Sequence, residues 1–283
     1  MTVVVTGAAG LLGREVVSAL SAGGRDVRAV DLVHPSGPST EIVHADLTDL
    51  GEAIQALRGA SAVVHTAAIP RPTGRTAVEV FRTNVMAAHN VVEAAALCGA
   101  KRLVNASSFS VLGPPFNPRP LRLEYLPIDE NHPLAPQEAY GLSKLITEEI
   151  VAAATRRGDL TAVSLRMPWL QTPETFAQEV EAHRDETHVG AANLWAYLDL
   201  RDAAHAFLSA LEVTVSGHVA IYLAARDTFM DEDTRSLVEA NFSDVELRAP
   251  LAGHEPLLNT AAAERLLGFQ PRYSWRSYAP SVA

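Results

Sequence analysis

The chain has 283 residues, with 33 acidic and 23 basic side chains, which give a formal net charge of −10 at pH 7. This acidic balance, with no basic run to offset it, argues against a nucleic-acid-binding surface. Hydrophobic residues make up 48% and charged residues 20% of the chain, as in a globular enzyme, and the longest apolar stretches are too short to span a bilayer. The single Cys98 excludes an intramolecular disulfide. Since no signal peptide precedes the first predicted strand, we expect a cytoplasmic protein.

The first predicted strand, Thr2–Thr6, runs into a glycine-rich turn and then into a helix. This order is what a loop that binds a dinucleotide phosphate requires. Gly7 allows a tight turn, Gly10 lets backbone N–H groups approach a pyrophosphate, and Gly13 lets the helix pack closely on the sheet. The free N–H groups of the helix N-terminus then face the phosphates. We therefore predict a dinucleotide site that includes Gly7, Ala9, Gly10, Leu11, Leu12 and Gly13.

Asp31 ends the second predicted strand, roughly 20 residues after the glycines. A carboxylate at this point accepts hydrogen bonds from a ribose 2′-hydroxyl and repels a 2′-phosphate. NAD is therefore favoured over NADP as the cofactor. An ordinary cap at a strand end is the alternative reading of Asp31, and Arg14 keeps NADP open because it is placed to grip a phosphate.

Strands and helices alternate over the first 168 residues. The predicted strands are Thr2–Thr6, Asp26–Asp31, Glu41–Ala45, Ser61–Thr66, Arg102–Ser107 and Leu160–Arg166, and the predicted helices are Leu11–Ser21, Leu50–Leu57, Ala77–Leu97 and Gln137–Arg156. This alternation predicts an α/β protein with a doubly wound parallel sheet, a Rossmann fold with a small C-terminal substrate-binding lobe. Ligands of such sheets bind at the carboxyl ends of the strands.

Tyr140 and Lys144 lie four residues apart in the last of these helices, and therefore one turn apart on one face. A phenol has a reference pKa of about 10 and is a poor base at neutral pH. A fixed ammonium nearby favours the phenolate and brings proton transfer into the working range. The same spacing also occurs by chance, with both side chains at the surface.

The order and spacing of these features resemble the extended short-chain dehydrogenase/reductase superfamily, the NAD-dependent epimerase/dehydratase group. The motif T-G-x-x-G-x-x-G matches from Thr6 to Gly13, and Y-x-x-x-K matches from Tyr140 to Lys144. The resemblance implies catalysis by Ser108, Tyr140 and Lys144, with Ser107 as the alternative serine. It further implies contacts to NAD from Asp46, Leu47, Thr66, Ala67, Ala68, Asn84, Tyr140 and Lys144, and contacts to the substrate from Ser108, Ser110, Tyr140 and Arg166.

The chemistry implied by the resemblance is hydride transfer. Tyr140 takes the proton of a substrate hydroxyl while hydride passes to NAD, Ser108 holds the oxygen on which charge develops, and Lys144 sustains the phenolate. The implied function is an NAD-dependent oxidoreductase acting on a hydroxyl or carbonyl carbon of a sugar-like or uronate-like substrate. An NAD-dependent sugar or nucleotide-sugar epimerase is the alternative, and an NAD-sensing regulatory protein is the alternative from another class.

Residues 1–168 are expected to form the dinucleotide-binding domain, completed by strands and helices within 195–224. Residues 169–194 and 225–283 are expected to form the small lobe, with a helix that Thr260 caps and Gly268 ends. The connection 114–136 is either a substrate-covering loop, with Arg119, Arg122 and Tyr125 as contacts, or a proline-stiffened surface loop. The resemblance also implies a homodimer through the helix Ala77–Leu97 and the helix that bears Tyr140. The ten histidines show no metal-binding spacing, and His183 and His188 are expected at the surface, so we predict no metal.

Overall fold

The computed structural model of the chain describes residues 2–33, 41–114, 116–119, 122–180 and 187–278. The strands in this part are β1 (Thr2–Thr6), β2 (Asp26–Asp31), β3 (Glu41–His44), β4 (Ala62–His65), β5 (Arg102–Ser108), β6 (Tyr125–Leu126), β7 (Thr161–Met167), β8 (Trp169–Gln171), β9 (Tyr197–Asp199), β10 (His218–Tyr222) and β11 (Glu246–Leu247). Seven of them form one parallel sheet in the order β10-β7-β5-β4-β1-β2-β3. The predicted doubly wound α/β fold is therefore confirmed.

Helices cover both faces of this sheet. The helices in the described part of the chain are α1 (Leu11–Ala22), α2 (Leu50–Leu57), α3 (Ala77–Leu97), α4 (Ala139–Arg156), α5 (Pro173–Thr175), α6 (Thr187–Ala191), α7 (Leu200–Glu212), α8 (Thr234–Asn241) and α9 (Ala261–Leu267). Buried apolar residues of α1, α7 and α9 pack on one face, and those of α2, α3 and α4 pack on the other. Each strand and helix predicted in the first 168 residues begins and ends within two residues of its observed counterpart.

A third apolar cluster joins the connection after β5 to segments from residue 176 onwards. Two short parallel pairs frame it: β6 pairs with β11, and β8 pairs with β9. Trp195 and Phe229 are fully buried there. Tyr125 supports this cluster: its hydroxyl donates to Asp129 at 2.7 Å, and the Arg248 guanidinium lies 3.5 Å from its ring centre. Tyr125 is thus held within the lobe, whereas residues 115, 120 and 121 of the connection lie outside the described residues.

The C-terminal helix differs from its prediction in two respects. Thr260 makes no side-chain cap; instead Asn259 accepts a hydrogen bond from the Ala261 N–H at 2.9 Å. The predicted threonine cap is therefore wrong, whereas Gly268 ends the helix with φ +62° as expected. α9 also packs with α1 and α7 on the main sheet, although the sequence assigned its residues to the lobe. The division into domain and lobe stays a prediction.

No helix in the described part of the chain is both long and apolar enough to cross a membrane. Within the same residues, no group of three His, Cys, Asp or Glu side chains is arranged to hold a metal ion. His188 is exposed, and His183 lies outside the described ranges.

Candidate active site

The loop between β1 and α1 packs too closely to admit side chains at its glycines. A Cβ built on Gly7 would lie 2.5 Å from the backbone N of Ala67, and one built on Gly13 would lie 2.0 Å from the Gly7 carbonyl oxygen. Gly7 also has φ +71°, which favours glycine. No side chain caps the start of α1 at Gly10. The loop therefore presents closely packed backbone next to uncapped N–H groups at the start of α1, an arrangement that fits a pyrophosphate.

Asp31 lies directly beside this loop. Its carboxylate accepts hydrogen bonds from the Ala9 N–H at 2.8 Å and from the Val33 N–H at 3.2 Å. The side chain therefore fastens the glycine loop to the end of β2. It also places a carboxylate where the ribose hydroxyls of a bound dinucleotide would need an acceptor.

The remaining predicted cofactor residues lie along the same edge of the sheet. The Asp46 carboxylate accepts hydrogen bonds from the Thr48 hydroxyl and N–H, which hold its pKa below the usual range. Leu47 is buried beside it. The Thr66 hydroxyl donates to the Thr6 carbonyl at 2.7 Å, and Ala67 and Ala68 follow directly in the chain. These five residues follow β3 and β4, as the sequence analysis expected.

Asn84 connects the loop after β4 to the tyrosine-bearing helix. Its carboxamide exchanges two hydrogen bonds with the backbone of Ile69, at 2.8 and 3.1 Å, and donates to the Ser143 hydroxyl at 3.1 Å. Ser143 in turn donates to the Tyr140 carbonyl at 2.7 Å. Asn84 is 3% exposed, so these contacts lie in the interior. It therefore fixes Tyr140 relative to the predicted cofactor cleft.

Tyr140, Lys144 and Ser108 come together where β5 ends and α4 begins. Both α4 side chains are buried, and the Lys144 ammonium lies 5.8 Å from the centre of the Tyr140 ring. That ammonium donates to the Ala106 carbonyl of β5 at 2.7 Å. Ser108, the last residue of β5, accepts a hydrogen bond from the Ser110 N–H at 3.1 Å, and its side chain lies close enough to the Tyr140 hydroxyl to lower the pKa of the phenol. The three predicted catalytic residues thus share one site.

Strand alternation separates Ser108 from its neighbour. The Ser107 hydroxyl points to the opposite side of β5 and donates to Glu148 at 2.5 Å, beneath α4. The geometry therefore favours Ser108 over Ser107 as the serine beside Tyr140. Ser110 is buried in the short helical turn that follows β5.

Burial dominates the electrostatics of this site. It raises the pKa of Tyr140 to about 12, with Glu138 adding to the rise and Ser108 opposing it. Burial also lowers the pKa of Lys144 to about 8, and the Glu148 carboxylate acts in the opposite direction. The sequence analysis expected Lys144 to favour the phenolate, but in the protein alone burial raises the pKa of the phenol instead. Tyr140 is therefore a neutral phenol at neutral pH unless a further positive charge reaches it.

Arg166, predicted to contact the substrate, is held beneath α4. Its Nε and Nη2 donate to the two oxygens of Glu148 at 3.0 and 2.8 Å, and its side chain is 6% exposed. The structure therefore directs this guanidinium towards a buried carboxylate.

Four residues near Tyr140 were missed by the sequence analysis. Glu138 caps α4 by accepting the N–H groups of Tyr140 and Gly141 at 2.6 and 2.5 Å. Phe116 packs edge to face on Tyr140, with ring centres 6.2 Å apart. Ser143 and Glu148 complete the set; Glu148 follows Lys144 by one helical turn, a spacing that the sequence does show.

The sequence and fold of this chain are similar to those of known proteins. A model of the NAD dependent epimerase/dehydratase family matches residues 3–224. The L-arabinose 1-dehydrogenase (NAD(P)(+)) of Haloferax volcanii is 28% identical over 278 residues, covering 95% of this chain and 96% of its own. The uronate dehydrogenase of Pseudomonas putida is 30% identical over 166 residues, covering 58% and 59% respectively. Among solved structures, a short-chain dehydrogenase/reductase superfamily protein from Agrobacterium tumefaciens with bound NAD is 27% identical, with a TM-score of 0.74, covering 98% of this chain and 94% of that one.

Proposed function

The chain belongs to the NAD-dependent epimerase/dehydratase family, and on that basis we propose that it is an NAD-dependent dehydrogenase of a sugar-like or uronate-like substrate. The observation that carries this proposal is the convergence of Tyr140, Lys144 and Ser108 at the carboxyl edge of the sheet that also bears the glycine loop. The match to the arabinose dehydrogenase supports it, because it spans nearly the whole of both chains.

NAD is the cofactor of this family. We propose that Gly7, Ala9, Gly10 and the first turn of α1 hold its pyrophosphate, and that Asp31 accepts its ribose hydroxyls. We further propose that its other contacts come from Asp46, Leu47, Thr66, Ala67, Ala68, Asn84, Tyr140 and Lys144. When bound, NAD accepts or returns hydride and, in its oxidised form, supplies a positive charge.

Tyr140 is proposed to move the proton of the substrate hydroxyl. Its neutral state in the protein alone suits the reductive direction, in which the phenol donates, whereas oxidation needs its pKa lowered. Ser108 would hydrogen-bond the oxygen on which charge develops, worth roughly 10² in rate for one such donor. Lys144 would supply a fixed positive charge next to the phenol whenever it is protonated.

The test is a substrate screen on the purified protein. L-Arabinose and other aldoses, uronates and nucleotide sugars would each be supplied with NAD, and NADH absorbance followed. We expect NADH from an aldose or a uronate, and none from the Tyr140→Phe variant. Interconversion of nucleotide sugars without released NADH, together with NAD that survives gel filtration, would identify an epimerase instead. An epimerase must retain its reduced cofactor in mid-cycle, whereas a dehydrogenase exchanges it.

We also propose that the protein is a homodimer through α3 and α4. These helices pack together, and exposed apolar side chains lie on them, including Val78 at 75% exposure and Met86 at 42%. A monomer in light scattering at micromolar concentration would contradict this assembly. The cytoplasmic location stays a prediction from the sequence.

A further inference from the structure

A buried carboxylate lies one helical turn beyond Lys144. Glu148 is 4% exposed, and its Oε1 accepts hydrogen bonds from Ser107 Oγ at 2.5 Å and from Arg166 Nε at 3.0 Å. Its Oε2 accepts from Arg166 Nη2 at 2.8 Å. These bonds join α4 to β5 and β7. A carboxylate in the interior stays ionised only with such partners, because it has lost its hydration.

Two cations, Lys144 and Arg166, lie near the Glu148 carboxylate. The Lys144 ammonium donates to the Ala106 carbonyl, and the next residue of β5, Ser107, donates to the Glu148 carboxylate. The carboxylate therefore lies one helical turn from Lys144 on the same stretch of β5, and its charge opposes the effect of burial on the pKa of Lys144.

In the part of the chain that the structure describes, Tyr140 on α4 and His65 on β4 also lie near Lys144. Neither supplies a negative charge at neutral pH: the phenol is neutral, and burial lowers the pKa of His65 to about 3.

His218 and Tyr222 of β10 also lie near Glu148, with the Glu130 carboxylate beside Tyr222 and the Glu149 and Arg156 charges acting on His218. Burial holds the pKa of His218 below its usual value and that of Tyr222 above it, so both are neutral near pH 7. Arg166 also lies over the Tyr222 ring, 5.1 Å from its centre. The Arg166 guanidinium therefore partly neutralises the Glu148 carboxylate, and this reduces the effect of that carboxylate on Lys144.

We propose that Glu148 is a positioning residue that keeps Lys144 charged, and that Arg166 limits how far it does so. Glu148 acts through Lys144 and makes no contact with the reacting atoms. The importance of Glu148 for catalysis rests on the proposed function of Lys144. The electrostatic effect of Glu148 on Lys144 does not depend on that function. This inference also gives Arg166 a different role from the substrate contact expected from the sequence.

The chain allows a direct test because it contains two lysines, Lys101 and Lys144. Lys101 is exposed and pairs with Asp159 at the surface, so it serves as an internal reference. NMR of protein labelled with ¹³C at lysine Cε, titrated without cofactor or substrate, would follow both pKa values. In the wild type we expect Lys144 to titrate near pH 8, well below the usual pKa of a lysine.

Glu148→Gln should lower the pKa of Lys144 by about one unit, a tenfold weaker affinity for its proton. Glu149→Gln is the matched control: Glu149 is the exposed neighbour on the same helix, and its replacement should leave Lys144 unchanged. Arg166→Met should move the pKa of Lys144 upwards, because the carboxylate then faces one cation. A merely structural role for Glu148 would lower stability without moving this titration.

A folded Glu148→Gln variant whose Lys144 titrates as in the wild type would overturn the proposal. If that variant does not fold, Arg166→Met decides, since an unchanged or lowered Lys144 pKa there would also overturn it. Circular dichroism reports folding in each case. The titration uses neither NAD nor substrate, so an inactive wild-type protein would count against the proposed function and leave this inference standing.

Discussion

Replacement of Gly13 by alanine tests the glycine loop, because the structure gives the size of the clash. A Cβ at this position would lie 2.0 Å from the Gly7 carbonyl oxygen, 2.8 Å from the Gly7 carbonyl carbon and 2.9 Å from the Ala8 Cα. Favourable contacts between carbon atoms lie at about 3.5–4.0 Å. All three atoms belong to the backbone, so no side-chain rotation can relieve the overlap. α1 would have to withdraw from the loop by roughly 1 Å.

Overpacking of this kind costs about 1–3 kcal/mol. At about 2–4 °C per kcal/mol for a large domain, the melting temperature should fall by roughly 2–12 °C. NAD affinity should fall at least tenfold, about 1.4 kcal/mol, since the displaced helix start carries the N–H groups proposed to hold the pyrophosphate.

Thermal unfolding by circular dichroism and calorimetric titration with NAD measure the two effects. Gly158→Ala is the control, because a Cβ there would meet nothing within 4 Å and Gly158 has no positive φ. The melting temperature and NAD affinity of Gly10→Ala should lie between those of Gly13→Ala and Gly158→Ala, because a Cβ on Gly10 would lie 3.2 Å from the Gly7 carbonyl oxygen. A Gly13→Ala protein that melts and binds NAD like the wild type would refute close packing as the reason for this glycine.

Three further predictions concern the site. Tyr140→Phe should lower kcat by several orders of magnitude and leave the calorimetric Kd for NAD nearly unchanged, because only the proton-transfer group is lost; retained turnover would contradict its role. Asp31→Ala should weaken NAD binding and reduce the preference over NADP, as fluorescence titration with both cofactors would show; unchanged affinities for both would exclude the proposed ribose contact. Burial lowers the pKa of Lys144 from 10.5 to about 8, so the unfolded chain binds this proton more tightly between these values. The wild type should therefore gain stability relative to Lys144→Met as pH rises from 8 to 10.5; urea unfolding at both ends of this range would check the sign, and a constant difference would refute it.

The parts of the fold that local patterns determine were predictable from the sequence. Apolar periodicity and turn residues set the strands and helices of the first 168 residues, and a parallel sheet brings its carboxyl ends to one edge. That rule was sufficient to predict that the glycine loop, Asp31 and Ser108 lie at one edge, whereas Tyr140 lies on α4 and its position depends on how that helix packs. The threonine cap of α9 failed because Thr260 and Asn259 are both common capping residues, and a sequence pattern does not say which side chain reaches the helix.

Tertiary structure decided the electrostatics and the partners. The spacing of Tyr140 and Lys144 predicted a lowered pKa for the phenol, yet burial raises this pKa. The residues that pack around Tyr140 exclude the water that would stabilise its phenolate, and spacing along the chain does not show which residues these are. Glu148 and Arg166 lie 18 residues apart, on a helix and on a strand. The local sequence of neither element predicts that the two side chains pair. Local sequence determines which backbone conformation each segment adopts. The distances between side chains of different segments, and the loss of water around them, depend on how the segments pack. These two quantities control the charge of the groups at the proposed active site.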